Sequence, residues 1–336
     1  MARGLSICAT ALLAFVTSET IASASENYTF ALVPRNTDSP YFDDALAGCK
    51  KAEEETKKAI RCLYIGPGRN GGSDEQALIV HDLIANGIDG IAVAPSDVSA
   101  IANALRAAGA ANIPIVTWYS DLPAKDAGLR AAFVGSDNYQ IGGVIAKLVM
   151  EKKPKGGVIC IQSGIATAPN DNERIQGVRD ALAAKPSKDA PVARLNGQNG
   201  WKEADGCPVY AADDAVHADQ QMNDILSRYP NLDAFVLVSA LPQLRPELYR
   251  ETVSKYKEKL SAGQLTVVSV GTLPTQLQLL RDGLSSGQVG QRPFEMGYKA
   301  MYLLKNIKEG NPAPKDLIHS SLSVCTPNNL SNCVRN

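Results

Sequence analysis

The chain has 336 residues, 45% of them hydrophobic and 21% charged, with a formal net charge of -1. That is room for two medium domains with ordinary apolar cores. The near-neutral balance excludes the strong basic field that a nucleic-acid or anionic-membrane partner requires.

At the N-terminus, Arg3 precedes an apolar stretch from Leu5 to Val16, and the small residues Ala22 and Ala24 follow at signal-peptidase spacing. Residues 1–24 therefore read as a secretory signal, cleaved on export to the periplasm. No later segment reaches the run of about 18 apolar residues that a membrane span needs. Short β-rich runs then alternate with helical ones. Strands are predicted at 28–33, 62–65, 88–95 and 113–118, and helices at 41–58, 74–87 and 98–109. In the first helix Phe42, Ala45, Leu46, Cys49 and Ala52 recur at i, i+3, i+4 spacing, and the second closes on Gly87. After Ala131–Asn138 the rhythm restarts. Helices are predicted at 139–153, 171–184, 213–230, 241–260, 273–284 and 293–310, with strands at 156–164, 190–195, 232–238 and 265–270. This alternation predicts an α/β protein of two Rossmann-like lobes with parallel, doubly wound sheets.

Six cysteines remain after the signal, an even number that suits disulfides in an exported chain. They allow fifteen pairings, of which the sequence neighbours Cys49–Cys62, Cys160–Cys207 and Cys325–Cys333 are favoured. There is no C-x2-C spacing, and His81, His217 and His319 read as surface or structural histidines, so no metal is expected. One enzyme motif occurs. Gly66, Gly68 and Gly71 form G-x-G-x-x-G between a strand and a helix, with Asp89 further on, as in dinucleotide-binding turns. The competing reading is a glycine-rich loop capped by Ser73 and Asp74. The motif follows the second strand rather than the first, and Pro67 stiffens its turn, so no cofactor is expected. No nucleophile elbow, P-loop or nucleophile–base pair is visible, which points to a binder rather than an enzyme.

What remains is a binding vocabulary. Tyr41, Phe42, Trp118, Tyr119 and Trp201 fall at predicted strand ends or helix starts, the edge where open α/β sheets hold ligands. Their faces suit the apolar C–H face of a sugar ring. Asp121, Asn138, Arg174 and Gln291 are the candidates for hydroxyl hydrogen bonds.

In chain order, the segments Asp38–Ala52, Gly87–Asp97, Ile113–Asp121, Phe133–Gly143, Asn172–Leu182 and Gly290–Ala300 resemble the ribose-type periplasmic binding proteins of sugar ABC transporters. The resemblance implies the type I periplasmic binding protein fold, with two lobes joined by a three-strand hinge. Residues 25–136 with 292–315 would form one lobe, and 137–291 with 316–336 the other. It also implies a monomer that closes on one sugar-like ligand and delivers it to an inner-membrane ABC permease, and in some members to a chemoreceptor. By position, Tyr41 and Phe42 match the family's aromatic pair, Asn138 the first crossing, Arg174 the R-x-x-G arginine, Trp201 the far-lobe aromatic and Gln291 the crossing glutamine. There are departures. Tyr119 and Gly271 stand where the family commonly has aspartates, and asparagines expected near Ala94 and Ser239 are missing. The losses predict a ligand other than plain ribose or glucose in the family's standard pose, with Asp121 a candidate for the missing carboxylate. The rivals are a sensor protein without a transport role and a periplasmic NAD-linked enzyme. A lactose-repressor-type regulator would need a helix-turn-helix where this chain has its export signal.

Overall fold

The computed structural model of the protein describes residues 27–68, 71–185 and 192–333, together with Met1. The cleaved signal expected over 1–24 lies, Met1 apart, outside the described residues. The first lobe opens with β1 (Tyr28–Val33), α1 (Pro40–Glu55), β2 (Ile60–Tyr64), α2 (Ser73–Ala85), β3 (Gly90–Val93), α3 (Val98–Ala110), β4 (Ile115–Trp118) and β5 (Ala132–Gly135). The chain then crosses into α4 (Asn138–Lys152), β6 (Gly157–Ser163), α5 (Pro169–Leu182), β7 (Trp201–Glu203), β8 (Val209–Tyr210), α6 (Ala215–Arg228) and β9 (Ala234–Leu237). There follow α7 (Pro246–Val253), α8 (Lys257–Ser261), β10 (Thr266–Val270), α9 (Pro274–Arg281) and β11 (Gly287–Gly290). It returns for α10 (Pro293–Lys308) and β12 (Ile318–His319), and ends across again in β13 (Ser323–Cys325).

The two sheets repeat one order. The first runs β2-β1-β3-β4-β5-β12, all parallel, and the second β7-β6-β9-β10-β11-β13, with β8 also on β6 and β13 antiparallel on β11. Strands β3, β4, β5, β9 and β11 are buried at every residue, as a sheet covered by helices on both faces demands. In each lobe the order reverses between the first strand and its third-strand neighbour, β1 and β3 or β6 and β9. Crevices open at the carboxyl ends of such strands. The two crevices face each other.

Several helices begin beside that cleft, and their first turns carry the local rules for starting there. Prolines open α1, α5, α7, α9 and α10, where a missing N–H costs nothing. Asp97, Asp137 and Asp214 cap α3, α4 and α6 by accepting from the first free amides. Helices α4 and α5 approach so closely that a Cβ on Gly142 would lie 2.1 Å from the Arg174 carbonyl oxygen, and one on Gly177 2.1 Å from that of Tyr139. Glycine at both positions is what brings Arg174 against the start of α4.

The six cysteines lie in three pairs, 49 with 62, 160 with 207 and 325 with 333, at Cα separations of 5.9, 5.4 and 5.5 Å. These spans suit disulfides. Three expectations need correction. Residues 316–336 do not all belong to the second lobe, because β12 extends the first sheet beside β5 and the third crossing comes after His319. The predicted strand over 190–195 is absent among its described residues. The buried Leu195 amide donates to the Glu203 side chain (3.0 Å) instead of to a strand, and β7 pairs with β6 in its place. The predicted helix over 241–260 is broken, because Pro246 starts a separate helix after the turn at Leu241–Leu244.

Candidate functional site

The facing crevices form a cleft of about 940 Å³. The first lobe lines it with a cluster of rings beside polar residues such as Arg35, Asn36, Asp38 and Ser39. Tyr41 and Phe42 come from the first turn of α1, and Tyr119 follows β4 in the left-handed region at φ 63°. Phe42 meets Tyr119 edge-on at 5.5 Å and Trp118 edge-on at 5.6 Å, while Tyr41 lies 5.1 Å from Tyr119. The Tyr41 hydroxyl turns inward to the Met296 sulfur (3.8 Å), so the ring rather than the hydroxyl serves the cleft.

The second lobe sets polar groups among apolar ones such as Ile165, Leu241 and Val270. Asp171 stands in the first turn of α5, Gly164 follows β6, Ser239 follows β9, and Asp213 precedes the cap of α6. A Cβ on Gly164 would lie 2.2 Å from Asp213 Oδ1 and 3.0 Å from Asp171 Oδ2, so the two carboxylates need glycine there. Arg35, just past β1, reaches across from the first lobe. Its Nη2 donates to Asp213 Oδ2 at 2.6 Å, and its Nη1 lies 4.0 Å from Asp171 Oδ2. Burial works against the Arg35 charge, but Asp213, Asp171 and the Tyr119 hydroxyl outweigh it and the guanidinium stays protonated. Burial likewise pushes the Asp171 carboxyl up, opposed by Arg35 and Arg174.

Arg174 lies behind this surface, fully buried. It donates from Nε to Asn138 Oδ1 (2.9 Å), from Nη1 to the Val238 carbonyl (2.8 Å) and to Asp171 Oδ1 (3.4 Å), and from Nη2 to Gln291 Oε1 (3.3 Å). Its guanidinium also sits 5.5 Å from the centre of the Tyr119 ring. One side chain thus holds two hinge crossings and both walls. Four buried polar atoms of lining residues have no hydrogen-bond partner in the protein: Arg35 Nε, Asp171 Oδ2, Ser239 Oγ and Gln291 Nε2. Such atoms are rare in protein interiors unless something else pairs with them.

Residues 30–312 match the family model for the periplasmic binding protein domain. The chain belongs to the periplasmic binding proteins. It is 25% identical over 308 residues to the ribose import binding protein RbsB of Escherichia coli K12, covering 90% of this chain and 92% of that one. It is 24% identical over 267 residues to the D-ribose/D-allose-binding protein of Pseudomonas aeruginosa, covering 78% and 76%. Among solved structures it superposes on the glucose-galactose binding protein GanP of Geobacillus stearothermophilus with a TM-score of 0.76, at 26% identity over 91% of this chain and 99% of that one. An ABC transporter solute-binding protein of Burkholderia graminis in complex with D-arabinose gives 0.77, at 25% identity over 93% and 99%.

Of the residues singled out in this periplasmic binding protein's sequence, Tyr41, Phe42, Tyr119 and Gln291 line the cleft. The other five do not. Trp118 is fully buried beneath Phe42, donating to the Ala92 carbonyl (3.3 Å). Asp121 turns to Arg130, whose Nε donates to it at 2.6 Å, and braces Thr117 and the Leu122 amide, so it does not supply the missing carboxylate. Asn138 and Arg174 form the layer behind the lining. Trp201 pairs with Gly157 at the amino end of β6, the far end from the cleft, and packs in the second-lobe core. Sequence reasoning missed Arg35, Asp171 and Asp213. The available clues were a polar residue just past each strand end and an aspartate one turn before Arg174.

The glycine motif divides in the same way. Gly68 and Gly71 line the cleft, whereas Gly66 packs on the Pro34 ring and α2 is capped by Gly72 without a side-chain bond, not by Ser73 and Asp74. Asp89, the acidic residue a dinucleotide site would use, sits at the opposite end of the sheet. There it accepts from the Thr29 amide (2.8 Å) and pairs with Lys308. Among the described residues no three His, Cys, Asp or Glu side chains gather as a metal set.

Proposed function

We propose that the protein is the periplasmic solute-binding component of an ABC importer and encloses one sugar-like ligand between its lobes. The observation that carries this is the meeting of two kinds of group in one cleft between the lobes: aromatic rings from the first lobe, and unpaired buried polar atoms on Arg35 of that lobe, on Asp171 and Ser239 of the other, and on Gln291 at a crossing. A sugar ring has that same division, with apolar C–H faces and a hydroxyl edge. Tyr41, Phe42 and Tyr119 would take the face, and Ser239, Gln291, Asp171 and Arg35 the hydroxyls. The relatives named for ribose, allose, glucose and galactose support the ligand class, and the reading of residues 1–24 as a secretory signal supports the compartment. Because each wall belongs to a different lobe, a ligand that touches both favours the closed form, which a permease can recognise.

Mass spectrometry of small molecules released from the purified mature protein tests the reading. A single polyhydroxylated species is expected, returned unchanged after incubation, and its re-addition should compact the protein in small-angle scattering. Release of a different class of molecule, or a chemically altered product, would overturn it.

A further inference from the structure

We propose that Arg35 is a specificity-determining residue: with Asp171 and Asp213 of the opposite wall, it makes the cleft select an uncharged polyol over the same sugar bearing a carboxylate or phosphate. This rests on the sugar-binding reading above and deepens it. Among the described residues, the charged side chains lining the cleft are Arg35 and Arg245 against Asp38, Asp171, Asp213 and Asp214. The balance is negative. Arg35, the cation at the centre of the walls, already donates to Asp213 at 2.6 Å and faces Asp171 at 4.0 Å, with 4% of its side chain exposed. It is not a free counter-charge for an anionic ligand.

The unpaired atoms sharpen the selection. Arg35 Nε and Gln291 Nε2 can only donate, and an ionised Asp171 Oδ2 can only accept. A hydroxyl does both, so two neighbouring hydroxyls can accept from Arg35 and donate to Asp171 at once. A carboxylate or phosphate offers acceptors. It would leave Asp171 Oδ2 unpaired and facing a like charge in a buried site, the costlier of the two failures. The donor–acceptor pair comes from opposite lobes, so recognition of the hydroxyls and apposition of the lobes are one event. This is how a chain with Tyr119 in place of an aspartate can still present a carboxylate to its ligand: Asp171 supplies it from across the cleft. Arg35 matters here as a planar fork. It holds Asp213 through Nη2 while Nε is left unpaired, a division of labour that a lysine ammonium cannot reproduce.

Titration calorimetry on the mature protein, freed of carried-over ligand, provides the test. The probes are D-ribose, D-allose, D-glucose and D-galactose beside ribose 5-phosphate, D-glucuronate and D-galacturonate. A neutral sugar is expected to bind, with its charged counterpart weaker by about a hundredfold. Arg35→Gln should weaken the neutral sugar by about tenfold to a hundredfold, and Arg35→Lys should not restore it. Asp171→Asn should narrow the neutral-to-anionic ratio by about tenfold, a change that misfolding would not produce. The proposal is overturned if the anionic counterpart binds within about threefold of the neutral sugar, or if Asp171→Asn leaves the ratio unchanged. It is also overturned if a folded Arg35→Gln, checked by thermal unfolding, keeps wild-type affinity. If neither neutral nor charged sugars bind wild type, the sugar reading itself falls and this proposal with it.

Discussion

The two walls of the cleft are built on the same strand order yet do opposite work. The first-lobe wall is a cluster of rings, Tyr41, Phe42 and Tyr119 resting on Trp118, held by edge-to-face contacts. The second-lobe wall sets carboxylates, a hydroxyl and a glycine among apolar residues, with Asp171 held by one buried guanidinium behind it. Ring contacts are broad and tolerant, because any apolar face of suitable size satisfies them. Hydrogen bonds in a buried site are unforgiving, because a missing partner costs more than a present one gains. The difference teaches that the first wall should set how tightly any sugar binds and the second which sugar is chosen.

The sharpest way to break this comparison is to remove what holds the polar wall. Arg174→Ala leaves Asn138, Gln291 and the Val238 carbonyl without this donor, and Asp171 with only the Asn170 amide on its Oδ1. It should lower stability in urea unfolding by about 3–5 kcal/mol. A loss below about 1 kcal/mol would mean that the wall is held by something else. Next in size, Phe42→Ala takes the central ring from the aromatic cluster and should cost about 3 kcal/mol of stability. It should also weaken every bound sugar by a similar factor, and a change in their ranking would blur the division between the walls. Gly164→Ala forces Asp213 and Asp171 to shift and should do the reverse. About 1–2 kcal/mol of affinity should be lost, unequally among sugars, with little change in unfolding. Smallest is Asp282→Asn in the second lobe, away from the cleft. The hydrogen bond from Arg250 lowers the Asp282 pKa, so the stability it gives is present above the ordinary value of 3.8 and lost as pH falls through the lowered one. The pair is partly exposed. The wild-type advantage should stay under about 1 kcal/mol at neutral pH, vanish in acid, and leave sugar binding untouched.

The sequence exposed the fold more fully than the site. Runs such as Ile115–Trp118 are buried on both faces and so stay apolar throughout, which marks them as inner strands of a parallel sheet without further context. The same logic placed Tyr41, Phe42 and Tyr119 at the ligand edge. It failed where an aromatic residue had two possible ends of a strand to occupy. Trp201 lies beside the amino end of β6, and nothing in its neighbours in sequence says which end that is. It failed also for charges whose partners come from elsewhere in the chain. Asp121 looked free for a ligand, although Arg130 is only nine residues away. Arg35 and Asp213 are 178 residues apart and meet only because two separate sheets face each other. Side-chain pairing over such distances is a property of the tertiary arrangement, and local periodicity carries no trace of it.

Arg174 has a consequence for motion. Asn138 belongs to one crossing between the lobes and Gln291 to another, yet both accept from its guanidinium. The two crossings cannot slide past each other without breaking those bonds, but they can twist around them. If the lobes open and close as proposed, the motion is expected to pivot near this point, with the rim moving more than the floor. The Arg35–Asp213 contact bridges the lobes away from that point, so in such a motion it would be expected to break while the bonds of Arg174 hold.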